Sequence, residues 1–132
     1  EVKPMAKRKK SKVPEMLKAE LTEKANELIE TTFKAYRLEL DKSAKEHGWN
    51  YVVEMYTKWW RNYFYFCSKY HCPSPRAISE YFEDPFTRME YIGGRQFNLS
   101  YKRHTGQWWE VYQELTLEEC LETIENQQIF WP

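Results

Sequence analysis

The stretch Asn50–Pro73, NYVVEMYTKWWRNYFYFCSKYHCP, decides the fold of this chain. Read as a β-hairpin, it turns at Arg61-Asn62 and sets Glu54 opposite Lys69. Read by period, its polar positions at 54, 57, 58, 61, 62, 65, 68 and 69 fall three or one apart, which is helical spacing. About 22 residues is also long for one strand. The helical reading follows, with Asn50 as cap and Pro73 as stop. Met55, Tyr56, Trp59, Tyr63 and Phe66 then face inward, and Glu54, Lys58, Arg61 and Lys69 face out. Strand structure across 52–60 would instead return Trp60, Tyr63 and Tyr65 as a base-stacking face.

Upstream, Leu17, Leu21, Ala25, Leu28, Ile29, Phe33, Tyr36 and Leu40 recur at three- and four-residue steps, predicting a helix from Glu15 to about Glu46. Gly48 supplies its stop, because glycine tolerates positive φ at a helix end. The two long helices would form an αα-hairpin. Downstream, Ser74 and Pro75 read as the start of a short helix over 75–82.

From Phe86 the period falls to two. A turn at Gly93-Gly94-Arg95 sets Tyr91 against Phe97 and Met89 against Leu99. A turn at His104-Thr105-Gly106 sets Tyr101 against Trp109 and Leu99 against Val111. The opposite face receives Arg88, Glu90, Asn98, Ser100, Lys102, Trp108, Glu110 and Tyr112. Thr116 and Glu119 form a capping box that opens a last helix, with Leu117, Cys120, Leu121 and Ile124 as its buried stripe. The expected fold is α+β: a long αα-hairpin plus a short helix, a three-stranded antiparallel meander and a C-terminal helix. Residues 1–13 read as a basic flexible tail and 14–132 as a single α+β domain.

Composition bounds the function classes. The chain has 132 residues and no net charge, but the charge is polarised. Lys3, Lys7, Arg8, Lys9, Lys10 and Lys12 open the chain, whereas 104–132 carry six Glu and no Lys or Arg. No apolar run approaches the roughly 18 residues of a membrane span. Cys67, Cys72 and Cys120 make an odd count without a CxxC pair, which suits a reducing, cytoplasmic setting. Cys67, His71 and Cys72 are half of a conceivable zinc site, in no known zinc spacing. The sequence lacks HExxH, GxSxG, P-loop and GxGxxG motifs. His104 beside Glu110, and the carboxylates Glu80, Glu83, Asp84 and Glu90, are the remaining catalytic candidates.

The leading expectation is a non-enzymatic binding module for DNA or RNA, without a cofactor. Lys7, Arg8, Lys9, Lys10 and Lys12 would meet phosphates, while Arg88, Arg95, Lys102, Arg103 and Trp108 would form a firmer platform. The alternatives are a protein–protein interaction or assembly subunit and a small metal-dependent nuclease or hydrolase. Six Trp, ten Tyr, seven Phe and the final IFWP also point to a homo-oligomer.

Overall fold

A computed structural model describes residues 12–132. The first helical stretch is as the sequence predicts, but it is not one regular helix. Helix α1 (Glu15–Leu28) passes through a π turn (Ile29–Phe33) into α2 (Lys34–Glu46). Inside the π turn the Lys34 N–H reaches back five residues to the Ile29 carbonyl. The cause can be read from the buried side chains Leu17, Leu21, Ala25, Ile29 and Phe33, which are spaced by fours. A strict four-residue step drifts about 40° per step around a helix of 3.6 residues per turn. The wider turn takes back that drift and brings Phe33 onto the sheet, where its ring meets Phe66 at 6.0 Å and Phe86 at 5.7 Å. Gly48 (φ 73°) ends the helix as expected.

Residues 50–71 are not a second helix. They form strands β1 (Tyr51–Trp60) and β2 (Tyr63–His71), which turn at Arg61-Asn62 with Glu54 opposite Lys69. The expected αα-hairpin is therefore absent from the described residues. The reason is the choice of outward side chains. Met55, Thr57 and Trp59 alternate with Glu54, Tyr56, Lys58 and Trp60, and Phe64 and Phe66 alternate with Tyr63 and Tyr65. This is period two, but both faces carry aromatic rings, so the hydropathy contrast that normally marks a strand is missing. Thr57 and Ser68 on the inner face, and an irregularity between Val52 and Glu54, add polar positions at helix-like spacing.

The predicted helix over 75–82 is likewise absent. Ser74 makes one turn, accepting from the backbone of Arg76 on its side chain and of Ala77 on its carbonyl. The chain then enters β3 (Tyr81–Gly93), followed by β4 (Gln96–Lys102) and β5 (Trp108–Thr116). The sheet is thus a five-stranded antiparallel meander in sequence order, rather than three-stranded. Met89 faces Leu99, Tyr91 faces Phe97 and Tyr101 faces Trp109, as the pattern predicts. Leu99 pairs with Tyr112 instead of Val111. Val111 is the extra residue of a bulge, so Tyr112 swings to the inner face near Phe130 and Val111 is exposed.

Helix α3 (Leu117–Asn126) has the expected Thr116–Glu119 capping box and buries Leu117, Cys120 and Ile124. The C-terminal residues dock: Phe130 is fully buried, and Trp131 packs on Phe33 and Tyr36 while donating its ring N–H to the Ile124 carbonyl. A buried hydrogen bond closes this corner, from Thr87 Oγ1 to the Phe130 carbonyl at 2.8 Å. The core lies between the inner face of the sheet and α1, the π turn and α3. Each fully buried Phe there contributes about 1.5–3 kcal/mol relative to exposure. No described helix is long and apolar enough to cross a membrane.

Candidate nucleic-acid interface

Residues opposite one another in register share a sheet face, so the strand pairing maps the outer face directly. One row is Lys58–Tyr65–Arg88–Ser100–Glu110, and the next is Trp60–Tyr63–Glu90–Asn98. Trp108, opposite Lys102, lies two residues along β5 from Glu110, in the row on the other side of the first. The buried core gathers on the other side of these strands, so this face is left to its own side chains.

Those side chains form a connected aromatic tract. Trp60 and Tyr63 are near-parallel with centroids 6.4 Å apart, Tyr63 and Tyr65 are 6.1 Å apart, and Tyr65 and Trp108 are 5.8 Å apart. Cations interleave with the rings. Arg61 lies 4.6 Å over Trp60, and Lys58 lies 5.7 Å over Tyr65. Arg88 lies 4.9 Å from the Tyr63 ring and 4.8 Å from Trp108. Its Nε is buried with no hydrogen-bond partner among the described residues, and both rings lie within cation–π range of its guanidinium. Lys58, Trp60, Tyr65, Pro85 and Trp108 border a depression of about 410 Å³.

The local sequence explains the geometry. Arg61 occupies the left-handed region (φ 54°) in the tight β1–β2 turn, which starts β2 in phase and sends Tyr63 and Tyr65 outward while Phe64 and Phe66 point in. Below the tract Cys67 is buried, and burial pushes its thiol up. Burial, aided by Glu83, also holds the Tyr56 hydroxyl well above its ordinary range. Cys120, in the core, is pushed up to about 12 by burial. Both thiols are poor nucleophiles in this state.

Of the residues singled out from sequence, Arg88 and Trp108 meet in this tract. Lys102 stands beside them but is ion-paired with Asp84. Arg95 belongs elsewhere: at the β3–β4 turn it binds Glu20 and Glu118, on α1 and α3. That contact raises the Arg95 pKa and lowers that of Glu20. Arg103 lies 4.6 Å over Trp109, which faces away from Trp108. Lys12 is exposed. Lys7, Arg8, Lys9 and Lys10 lie outside the described residues. Lys58 and Arg61, which the helical reading turned outward without a role, join the site together with Trp60, Tyr63 and Tyr65.

The catalytic candidates do not converge. Glu80 accepts from His71 Nε2 at 3.2 Å, Glu83 faces Lys69, and Asp84 pairs with Lys102. Among the described residues no group of three His, Cys, Asp or Glu side chains could hold a metal ion, and Cys67, His71 and Cys72 do not form one.

Residues 13–132 match the model of the family described as Domain of unknown function (DUF3024). The chain belongs to this family. The match takes in all five strands, the three helices and every residue of the aromatic tract, so the DUF3024 match covers the whole described domain from Val13, its first buried residue. The comparison with curated proteins and that with solved structures give no match.

Proposed function

We propose that this chain is a non-enzymatic module that binds single-stranded nucleic acid on the outer face of its sheet. The observation that carries the reading is the tract Trp60–Tyr63–Tyr65–Trp108 with Lys58, Arg61 and Arg88 set among its rings. Unpaired bases expose π-faces that stack on such rings without sequence preference, and nearby cations meet the phosphates. In a duplex those base faces are already stacked, so single strands are the favoured ligand. The charges give the ligand a direction. Glu90 and Glu110 share this face on the β3 and β5 side and repel phosphate, so the backbone is drawn to the Lys58 and Arg61 side. The basic run Lys7–Lys12 adds non-specific phosphate attraction. In this reading the module works in the cytoplasm, and three unpaired cysteines support a reducing compartment.

Tryptophan fluorescence titration with short oligo-dT and oligo-U at low salt tests the proposal. Saturable quenching that is weaker with a duplex of equal length is expected. Absence of binding to every DNA and RNA tested at low salt would overturn it.

A further inference from the structure

We infer that β1 pairs edge to edge, antiparallel, with β1 of a second copy of this chain, joining two five-stranded sheets into one. Lys58 stands at this edge as well as beside the aromatic tract, but the pairing needs no nucleic acid, and self-association is read without it. Among the described residues the sheet has two edges, β1 and β5. The β5 edge is interrupted: Val111 is bulged, Glu114 sits at φ 57°, and the Glu114 N–H is taken by the Asn98 side chain. The β1 edge is ten residues long, contains no proline and has its one irregularity near its start. At that start Asp41 of α2 accepts from the Val52 N–H. Beyond it runs Glu54-Met55-Tyr56-Thr57-Lys58-Trp59-Trp60, seven residues in unbroken register whose two charges, Glu54 and Lys58, are opposite in sign and exposed.

The occupant is specified by charge. Laid antiparallel on itself about a two-fold axis through Tyr56, β1 sets Glu54 against the second copy's Lys58, and Lys58 against the second copy's Glu54. Met55 meets Thr57. Glu54, Tyr56 and Lys58 share the outer face, so two opposite-charge pairs flank a Tyr56–Tyr56 contact, and both charged side chains are exposed in the single chain. Neighbouring two-fold registers forfeit this match. An axis through Glu54 sets Glu54 against itself, and one through Lys58 sets Lys58 against itself. The second copy's strand end also falls beside Leu38 and Val53, apolar side chains that are 67% and 47% exposed along a groove of about 290 Å³ between α2 and β1. Two aromatic tracts would then share one continuous outer face.

The test is sedimentation equilibrium of the full chain across the micromolar range. The wild type should reach twice the 16.2 kDa chain mass. Glu54→Lys and Lys58→Glu, each setting like charges opposite, should raise the dissociation constant about tenfold, and the double exchange should restore it. Amide hydrogen exchange of the wild type gives a readout that needs no variant: protection across 54–58 should increase with concentration. A 16.2 kDa species at every concentration, a dimer indifferent to the single exchanges or not rescued by the double one, or concentration-independent protection would each overturn the inference.

Discussion

Phe64 and Tyr65 are neighbours in sequence and should respond to alanine in opposite ways. Phe64 is fully buried, with its ring 4.9 Å from Trp59 and 5.5 Å from Phe66, and it faces Met89 in the core. Phe64→Ala removes those contacts and leaves a cavity, so it should cost about 3–5 kcal/mol. A domain of this size has roughly 5–15 kcal/mol in total, so the variant should be strongly destabilised yet still folded in the cold. Tyr65 sits on the outer face between Trp108 and Lys58. Tyr65→Ala loses two ring pairs, with Tyr63 and Trp108, and one cation–π contact, about 1.5–3 kcal/mol of stability. It also removes a stacking surface worth about 1–3 kcal/mol per base, so oligonucleotide affinity should fall by a factor of roughly 5 to 150. Urea unfolding followed by circular dichroism, with a fluorescence titration of each folded variant, measures both. Equal stability losses at the two positions, or a mild Phe64→Ala with a severe Tyr65→Ala, would refute the assignment of faces. Unchanged oligonucleotide affinity in Tyr65→Ala would refute the assignment of the site.

Thr87→Val keeps the side-chain shape but leaves the Phe130 carbonyl without its donor, so a loss of about 1–3 kcal/mol in urea unfolding is expected. Thr116→Ala removes the side-chain half of the capping box and should cost about 1 kcal/mol, read in the same assay. Deleting residues 1–12 removes six Lys or Arg and should flatten the slope of log affinity against log salt by as much as about 4 for a single strand, measured by titration at several salt concentrations. Arg95→Gln should weaken the pH dependence of thermal stability. The Arg95 hydrogen bond lowers the pKa of Glu20, and Glu118 is lowered by a backbone hydrogen bond and then by Arg95. The stability these carboxylates confer is present above the ordinary carboxylate range and lost as pH falls through their depressed values, so the wild type should lose more on acidification than Arg95→Gln.

The parts of the fold legible in the sequence are those where the two faces of an element differ in chemistry. In β3 and β4, Met89, Tyr91, Phe97 and Leu99 alternate with Arg88, Glu90 and Asn98, and the pairing follows from the turn position alone. The C-terminal helix announces itself through Thr116 and Glu119. In β1 and β2 the signal is lost because Tyr63, Tyr65 and Trp60 are as apolar as the core residues that they alternate with. The property that conceals these strands is the one that makes their outer face a candidate site. Trp108 and Arg88 are legible because they belong to the well-patterned strands. Arg95 and Arg103 misled for another reason. The carboxylates that hold Arg95 come from α1, 75 residues away, and from α3, and the ring under Arg103 lies on the opposite face from Trp108. Such partners are a property of the tertiary fold.

The π turn at Ile29–Phe33 works as a spacer that indexes α2 against the sheet. With it in place, Arg37 lies 5.9 Å from the Tyr70 ring and bonds Asp41, and Asp41 meets the Val52 N–H at 2.9 Å. Closing the turn into ordinary α-helix at unchanged length would carry every later side chain onward by one residue's rotation, about 100°. Tyr36 would then arrive where Arg37 stands and Leu40 where Asp41 stands, setting an apolar side chain against the edge of β1 and leaving the Val52 N–H without its carboxylate. The length of this loosened turn, one residue more than a regular helix needs, therefore selects which side chain of α2 reads the first strand, although none of its own five residues touches that strand's edge in the hydrogen bonds described.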